Sequence, residues 1–498
     1  MPKANRPKAV CAAFLLLTST AFAAPTITLS KKIGPPTSSI LVSGNGFEPN
    51  VGVDIYFDTK DQALVVTNNE GEFHNAKIHA PSSAHPGEHW VTALERNNDK
   101  GDQKPFIVNT NWSQFRFDAY GTRLNSYENV LGVNNVGDLG LKWSYATGDV
   151  VFPSPAVVDG VVYVGSNDHN LYALDARTGK RLWSFTAGDS VQTTPAVANG
   201  VVYFGSWDDN VYALNSHTGT LLWKFTTGDH VLSDPTVANG VVYVGSWDHH
   251  VYALNARTGA ELWGHPTGWS VSSSPAIANG LVYVGSWDDN VYALDARTGD
   301  LVWSYPTNNI VITSPVVANG VVYVGSEDYN VYALNARTGD LLWRYYTGDP
   351  VFSGPALANG IVYVSVGDSP NSGIYALDAH TGALLWRYLT FYTDSAPAVA
   401  NDVVYVGVLI GVGEGGVYAL SARTGDLLWS YATTYGADSS AVVNGVVYIG
   451  SDEGSVYAFG LGHDEPGGEI ASKRPDLKTL RPDFNLKVSM SREAASRN

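Results

Sequence analysis

Cysteine is almost absent from this chain. The one cysteine, Cys11, lies in the apolar centre (Ala9 to Leu17) of an N-terminal stretch that starts with Lys3, Arg6 and Lys8 and ends in Ala21-Phe22-Ala23 before Ala24. That pattern predicts a secretory signal peptide over residues 1–23. Cys11 sits inside the apolar run and not after it, so lipid anchoring is not expected. Once the segment is removed, disulfides, thiolate metal sites and cysteine nucleophiles are excluded. No later apolar run is long enough for a membrane span, and no membrane insertion is expected. Basic residues are also scarce, 30 against 47 acidic. Without Lys3, Arg6 and Lys8 the net charge becomes −20, which excludes nucleic acid and anionic lipid as natural partners.

What is abundant is glycine, 51 residues, and aromatics, 12% of the chain, with only 15% charged residues. This composition suits many short strands joined by tight turns, an all-β class. Residues 25–110 hold short apolar segments such as Ile40-Leu41-Val42, Val53 to Phe57 and Trp90 to Leu94 between turn residues, which predicts a β-sandwich. His74, His79, His85 and His89 are irregularly spaced, and are expected to be exposed loop and strand residues, not a metal cluster. Residues 111–138 read as a lead-in segment.

From residue 139 to 460 the chain is an array. Tryptophans recur at Trp143, Trp183, Trp223, Trp263, Trp303, Trp343, Trp386 and Trp429, 40 residues apart five times and then 43 apart twice. A fixed period near 40 implies a solenoid or propeller. Each unit reads as four strands, with Asn-Gly, Asp-Asn and Thr-Gly supplying the left-handed backbone of the hairpins. Eight Tyr-Ala pairs run from Tyr172 to Tyr457, yet the Thr-Gly and Trp strand follows only seven of them. Trp143 belongs to a strand with no unit before it. Pairing that strand with the last unit closes a ring and removes a raw edge. The expectation is an eight-bladed β-propeller preceded by a sandwich, with residues 461–498 a disordered polar tail.

Two resemblances follow from these residues. The recurring Ala-Leu-Asp-Ala-Arg-Thr-Gly-x-x-x-Trp, as at Ala173 to Trp183 and Ala293 to Trp303, resembles the tryptophan-docking repeat of quinoprotein propellers, the pyrroloquinoline quinone repeat. The resemblance implies that each outer-strand tryptophan packs against the alanine and glycine of adjoining motifs. It also implies one of two activities: a dehydrogenase holding pyrroloquinoline quinone with calcium, or a cofactor-free scaffold similar to the outer-membrane barrel-assembly propeller. The dehydrogenases typically carry a vicinal cysteine pair and long pocket-building insertions, both missing here. No cofactor is therefore expected, with the quinone and calcium as the alternative. The run Gly44 to Pro49, then Asp54 to Asp58, then Pro86 to Ala93, resembles bacterial immunoglobulin-like modules, which implies an immunoglobulin-like β-sandwich serving as spacer or adhesive unit.

Strand direction places the second-to-third turns and the blade connections on one face. That face collects acids from Asp149, Asp168 and Asp189 round to Asp438, Asp452 and Glu453, and those loops contain no lysine or arginine. Turn chemistry accounts for an aspartate at many of these positions, but not for the missing cations. The expected partner is a protein with a basic segment or a divalent ion. Trp207, Trp247 and Trp287 on three adjacent blades, with Trp269 nearby, either fill gaps between blades or form an aromatic strip for a protein or polysaccharide. Blades six and seven break the symmetry with longer turns, so Asp368, Glu414 and Tyr392 are candidate partner-binding residues; Asp368, Asn371 and Glu414 fit no known calcium loop. No catalytic constellation can be assembled. The chain reads as an exported, periplasmic or secreted, monomeric binding module.

Overall fold

The computed structural model describes residues 24–115, 117–367, 371–411, 414–462 and 473–480. The expected signal peptide lies outside them. Among the described residues no helix is long and apolar enough to cross a membrane.

The first eight strands are β1 (Thr26–Leu29), β2 (Ile33–Gly34), β3 (Ser39–Asn45), β4 (Gly52–Phe57), β5 (Lys60–Val66), β6 (Phe73–His79), β7 (Gly87–Glu95) and β8 (Gly101–Val108). They form a three-stranded sheet, β1-β3-β6, and a five-stranded sheet, β2-β8-β7-β4-β5. Alternating residues of both sheets meet in one core, with Ile40, Val42 and Phe47 from one side and Ile55, Val91 and Phe106 from the other. All pairings are antiparallel except β2 with β8. His74, His79 and His85 are exposed as expected, but His89 is not. It is buried between Asp58 (Nδ1 to Oδ2 2.7 Å) and the carbonyl of His85 (2.7 Å). Burial alone would lower its pKa; the hydrogen bonds to Asp58 and His85 and the Asp58 charge outweigh that and raise it.

Among the described residues beyond 138 stand eight four-stranded sheets, one of them extended by the short strand Leu124–Asn125 of the lead-in segment. Seven are continuous in sequence: 156–186, 196–226, 236–266, 276–306, 316–346, 356–389 and 398–433. The eighth joins residues 441–461 to the strand Leu139–Ala146, with Trp143 opposite Ala458. The strand that opens the array thus completes its last blade. The innermost strands, such as Ala156–Val158 and Ala196–Ala198, are neighbours around the axis. Asn199 and Gly200, with φ of 52° and 78°, make the kind of turn only such residues adopt without strain.

The lead-in segment does something its sequence did not announce. Each innermost strand is an edge, and unpaired edge groups are costly or sticky. Residues 112–115 and 117–125 run round the inside of the ring and meet those edges in turn. Val157 N–H donates to Trp112 O (2.7 Å), Val197 to Ser113 O (2.7 Å), Ile277 to Ala119 O (2.7 Å), Val317 to Tyr120 O (2.9 Å), Leu357 to Thr122 O (3.0 Å) and Val399 to Arg123 O (2.9 Å). Val237 N–H uses Gln114 Oε1 (3.2 Å), and Asn125 Nδ2 reaches Val442 O of the eighth blade (2.9 Å). The guanidinium of Arg123, 0% exposed, donates to Pro397 O, Phe115 O and Ser440 O and lies 4.7 Å from the Phe115 ring centroid. Each of the eight inner strands thus has a partner in this segment.

Part of the expected disordered tail is folded. Residues 473–480 return to the sandwich, not to the acidic face. Arg474 lies over the Trp90 ring (5.0 Å) and bonds Gln103 Oε1 (2.6 Å), while Leu480 joins Tyr56 and Leu94 in a small apolar cluster. The reason is that β4 and β7 turn those apolar side chains outward, and Leu480 covers them.

Candidate functional site

Blade-to-blade docking is built from two side chains and a glycine per repeat. Trp263 Nε1 donates to Ala296 O of the next blade (3.1 Å), and Tyr243 Oη donates to the same carbonyl (3.1 Å). A Cβ on Gly299, whose φ is 77°, would come 2.7 Å from the Trp263 ring, so glycine is required beneath the indole. Trp143, Trp183, Trp223, Trp303, Trp343 and Trp386 donate likewise to Ala176, Ser216, Ala256, Ala336, Ala379 and Ala422. Trp429 faces the sheet completed by the opening strand and donates instead to Leu139 O (3.0 Å), with Phe459 edge-on to its ring. Tyr405, the partner of Trp429, has its hydroxyl buried without an acceptor.

Many acids of the face formed by the second-to-third turns are latches. Asp248 Oδ2 accepts from Tyr252 Oη (2.7 Å) and from Gly228 N (2.6 Å) on the preceding connection, and Oδ1 accepts from His250 N (3.1 Å). Asp168, Asp208, Asp288 and Asp328 make the corresponding bonds. Burial together with the carboxylate raises the pKa of Tyr172, Tyr212, Tyr252, Tyr292 and Tyr332. Asp149, Asp189 and Asp229 each accept from the next backbone N–H, while the expected turn bond, to the N–H two residues on, is made by Asp168, Asp208, Asp248 and Asp288.

Trp207, Trp247 and Trp287 are half-buried and come together. Their ring centroids are 6.2 and 5.6 Å apart and tilted by 42° and 59°, and the His230 ring stacks on Trp207 at 5.0 Å. Ser272 Oγ accepts from both Trp247 and Trp287. Such tilted rings spend their faces on one another and not on an outside plane. Trp269, 58% exposed, stands open. Beside Trp207, Asp209, Asp229 and His230 bring three potential ligand atoms within 4.8 Å of one another, and His230 Nδ1 is already 3.0 Å from Asp209.

The divergent blades carry a different cluster. Asp368 lies outside the described residues, and Glu414 is exposed near a hairpin tip. Tyr392 Oη donates to Asp394 Oδ2 (3.3 Å). Asp394 is open to solvent at its mouth but walled by protein, and that crowding raises its pKa. Burial, with Asp394 and Asp452 near, pushes Asp438 well above the carboxylate range. Burial and Asp394 push Asp452 up to about 6. On the opposite face a hollow of about 350 Å³ opens between blades four and five, lined by Tyr120, Asn279 and Asn319. Asp438 and Asp452 had no special signal in sequence beyond sitting beside the irregular connections.

A pyrroloquinoline quinone is a multiply charged carboxylate anion. The loops of the acidic face contain no lysine or arginine to pair with its carboxylates. The acidic face thus offers no cationic side chain to a bound carboxylate.

Fold and docking geometry define an eight-bladed propeller of tryptophan-docked sheets. The family described as "Outer membrane protein assembly factor BamB" matches residues 168–268, 247–352 and 348–463, and the chain belongs to this pyrroloquinoline quinone repeat family. The family described as "Glucose/ethanol/alcohol dehydrogenase, beta-propeller domain" matches residues 112–190. Among curated relatives, 1-butanol dehydrogenase (cytochrome c) of Thauera butanivorans is 38% identical over 79 residues, 16% of this chain and 11% of the relative. The chain thus matches about a tenth of that relative's length. BamB from Moraxella catarrhalis superposes with a TM-score of 0.57 at 19% identity, covering 65% of this chain and 99% of that one. Quinohemoprotein alcohol dehydrogenase from Comamonas testosteroni gives 0.61 at 18% identity, covering 72% and 81%. At these identities the likeness is one of fold.

Proposed function

We propose that the chain is an exported, non-catalytic propeller that binds a protein partner carrying a basic segment through its acidic face. The observation that carries this reading is electrostatic. The face of turns and connections holds acids in every blade and no lysine or arginine, whereas Arg177, Arg257, Arg297, Arg337 and Arg423 all lie on the other side. A one-signed surface steers a partner of opposite charge. The sandwich meets the propeller on that other side, where Thr110 N–H bonds Asn444 Oδ1 and Asn129 Nδ2 bonds Ser82 O and Ala84 O, so the acidic face is left clear. The strand order β1-β3-β6 against β2-β8-β7-β4-β5 supports an immunoglobulin-like spacer, and the pattern of residues 1–23 supports export.

The test is binding of a fluorescein-labelled hexa-arginine peptide to the full chain, followed by anisotropy from 50 to 500 mM salt. Affinity should fall steeply with salt. Affinity that does not change with salt, or no binding at any salt, refutes the reading. The match of residues 112–190 to the dehydrogenase propeller keeps a second reading, quinone-dependent oxidation. Quinone absorbance retained by the protein after mixing with calcium and desalting would favour it.

A further inference from the structure

The sandwich is tied to the propeller at more than its chain connection. At the crossing, Asn109 and Thr110 bond the Asn444 side chain of blade eight. A second tie lies in the loop between β6 and β7, where Asn129 Nδ2 donates to Ser82 O (3.0 Å) and Ala84 O (2.8 Å). Asn129 is placed by its neighbour Glu128, whose Oε2 accepts from Gly445 N of blade eight (3.1 Å) and whose Oε1 accepts from Val130 N and Leu131 N. The fit is incomplete, because Asn129 Oδ1 is sealed from solvent with no donor. A buried acceptor left unmade costs free energy, so a contact that carries one is readily tipped by a further bond made or lost.

His89 supplies such a bond. Its Nε2 lies 2.7 Å from His85 O, at the end of the same loop, and its Nδ1 lies 2.7 Å from Asp58 Oδ2. A carbonyl cannot donate, and the other oxygen of Asp58 accepts from Trp90 N (3.0 Å), as a carboxylate does. A neutral imidazole has one N–H and serves one of these acceptors; only imidazolium serves both. Around the ring, Phe57 of β4 packs at 5.3 Å and Phe106 of β8 stands opposite. Asp102 and Lys104 of β8 close on each other at 2.9 Å. Glu88 turns to the other face of β7, and Lys60 in the hairpin after Asp58 and the His85 imidazole are exposed. The three-stranded sheet faces the core with Ile27, Ile40, Val42, Ala76 and Ile78, none of which titrates. Asp58 is thus the charge that acts on His89.

We infer that His89 is a proton-operated clamp: doubly protonated, it holds the 81–86 loop against Asn129 and so fixes the sandwich on blade eight, and on losing a proton it lets that side of the junction loosen. Burial lowers the pKa of His89, but its hydrogen bonds to Asp58 and His85 and the Asp58 charge outweigh burial and leave it above the ordinary 6.5. With the folded value raised, the clamp is complete below about pH 6.5 and is lost as pH rises through the higher folded value.

The experiment is hydrogen–deuterium exchange of the full chain in steps from pH 5 to pH 9, read by mass spectrometry and divided by the intrinsic rate at each pH. Protection of residues 80–87 and 126–133, the two sides of the contact, should fall about tenfold or more on passing through the histidine titration, while β3 stays protected. His89→Gln, which does not titrate, should remove the pH dependence. Asp58→Asn, which keeps an acceptor for Trp90 N–H but no charge, should move the midpoint to lower pH, and decides alone where His89→Gln does not fold. Protection in the parent that does not change with pH, or that falls equally in His89→Gln, overturns the clamp. An Asp58→Asn midpoint equal to the parent's overturns it too. A fall confined to residues 80–87 means that the junction stays closed, and a fall shared by β3 means that the sandwich unfolds as a whole; either result overturns the inference.

Discussion

Replacing Trp263 by alanine tests the geometry that holds the ring together. The indole is 8% exposed, lies over Gly299 and donates to Ala296 O. Burial of a side chain this size, with the cavity left behind, puts the loss at about 3–5 kcal/mol. The hydrogen bond adds little to that, because Ala296 O keeps its second donor, Tyr243 Oη; a net bond is worth about 1 kcal/mol. Tyr243→Phe should for the same reason cost only about 1 kcal/mol. For a domain of this size each kcal/mol moves the melting temperature by roughly 2 °C, so scanning fluorimetry of Trp263→Ala should show a fall of several degrees. Trp269→Ala, which removes an equal indole from an exposed position, should stay within about 0.5 kcal/mol of the parent. Gly299→Ala should behave like Trp263→Ala, since its Cβ would meet the ring at 2.7 Å. Equal melting temperatures for Trp263→Ala and Trp269→Ala would refute the docking argument.

Deleting residues 24–110 should leave the propeller folded by circular dichroism, whereas deleting 24–125 should destabilise it sharply, because the second deletion strips partners from the inner strands of the ring. Asp248→Asn should cost about 1–3 kcal/mol, the usual range for a charge-assisted bond, and should lower the pH at which Tyr252 ionises, read from tyrosinate absorbance. Asp452, pushed up to about 6, holds its proton in the folded chain over a range where the unfolded chain has lost it. Its contribution to stability is therefore present below about pH 4 and lost as pH rises to about 6; Asp452→Asn should flatten that part of the melting profile relative to the parent. Truncation after residue 472 should uncover Tyr56 and Leu94 and increase binding of a hydrophobic dye.

The ring was legible because periodicity reports whatever is repeated. The phase of the tryptophans against the Tyr-Ala pairs placed Trp143 in the last blade, where it pairs with Ala458. Unique segments leave no period, and there the reading fell short. Residues 112–125 passed for a connector because their contacts are backbone bonds to strands far away in sequence, which no side-chain pattern encodes. Local turn chemistry accounts for the bond Asp168 accepts from Asn170 N–H, but the bond it accepts from Gly148 N–H needs two blades side by side. Trp207, Trp247 and Trp287 could be placed on one face but not oriented, since tilt depends on neighbours such as Ser272. The return of Leu480 to Tyr56 joins the two ends of the chain, beyond the reach of local pattern.

The segment that lines the inner strands constrains biosynthesis. Residues 112–125 leave the ribosome before any of the sheets they will bind, and the strand Leu139–Ala146 must wait for Ser455–Leu461. Neither can be settled until the last repeat has emerged. Contacts this remote along the polymer make assembly slow, so an unfinished molecule would keep its opening segment exposed to proteases until the final hairpin arrives.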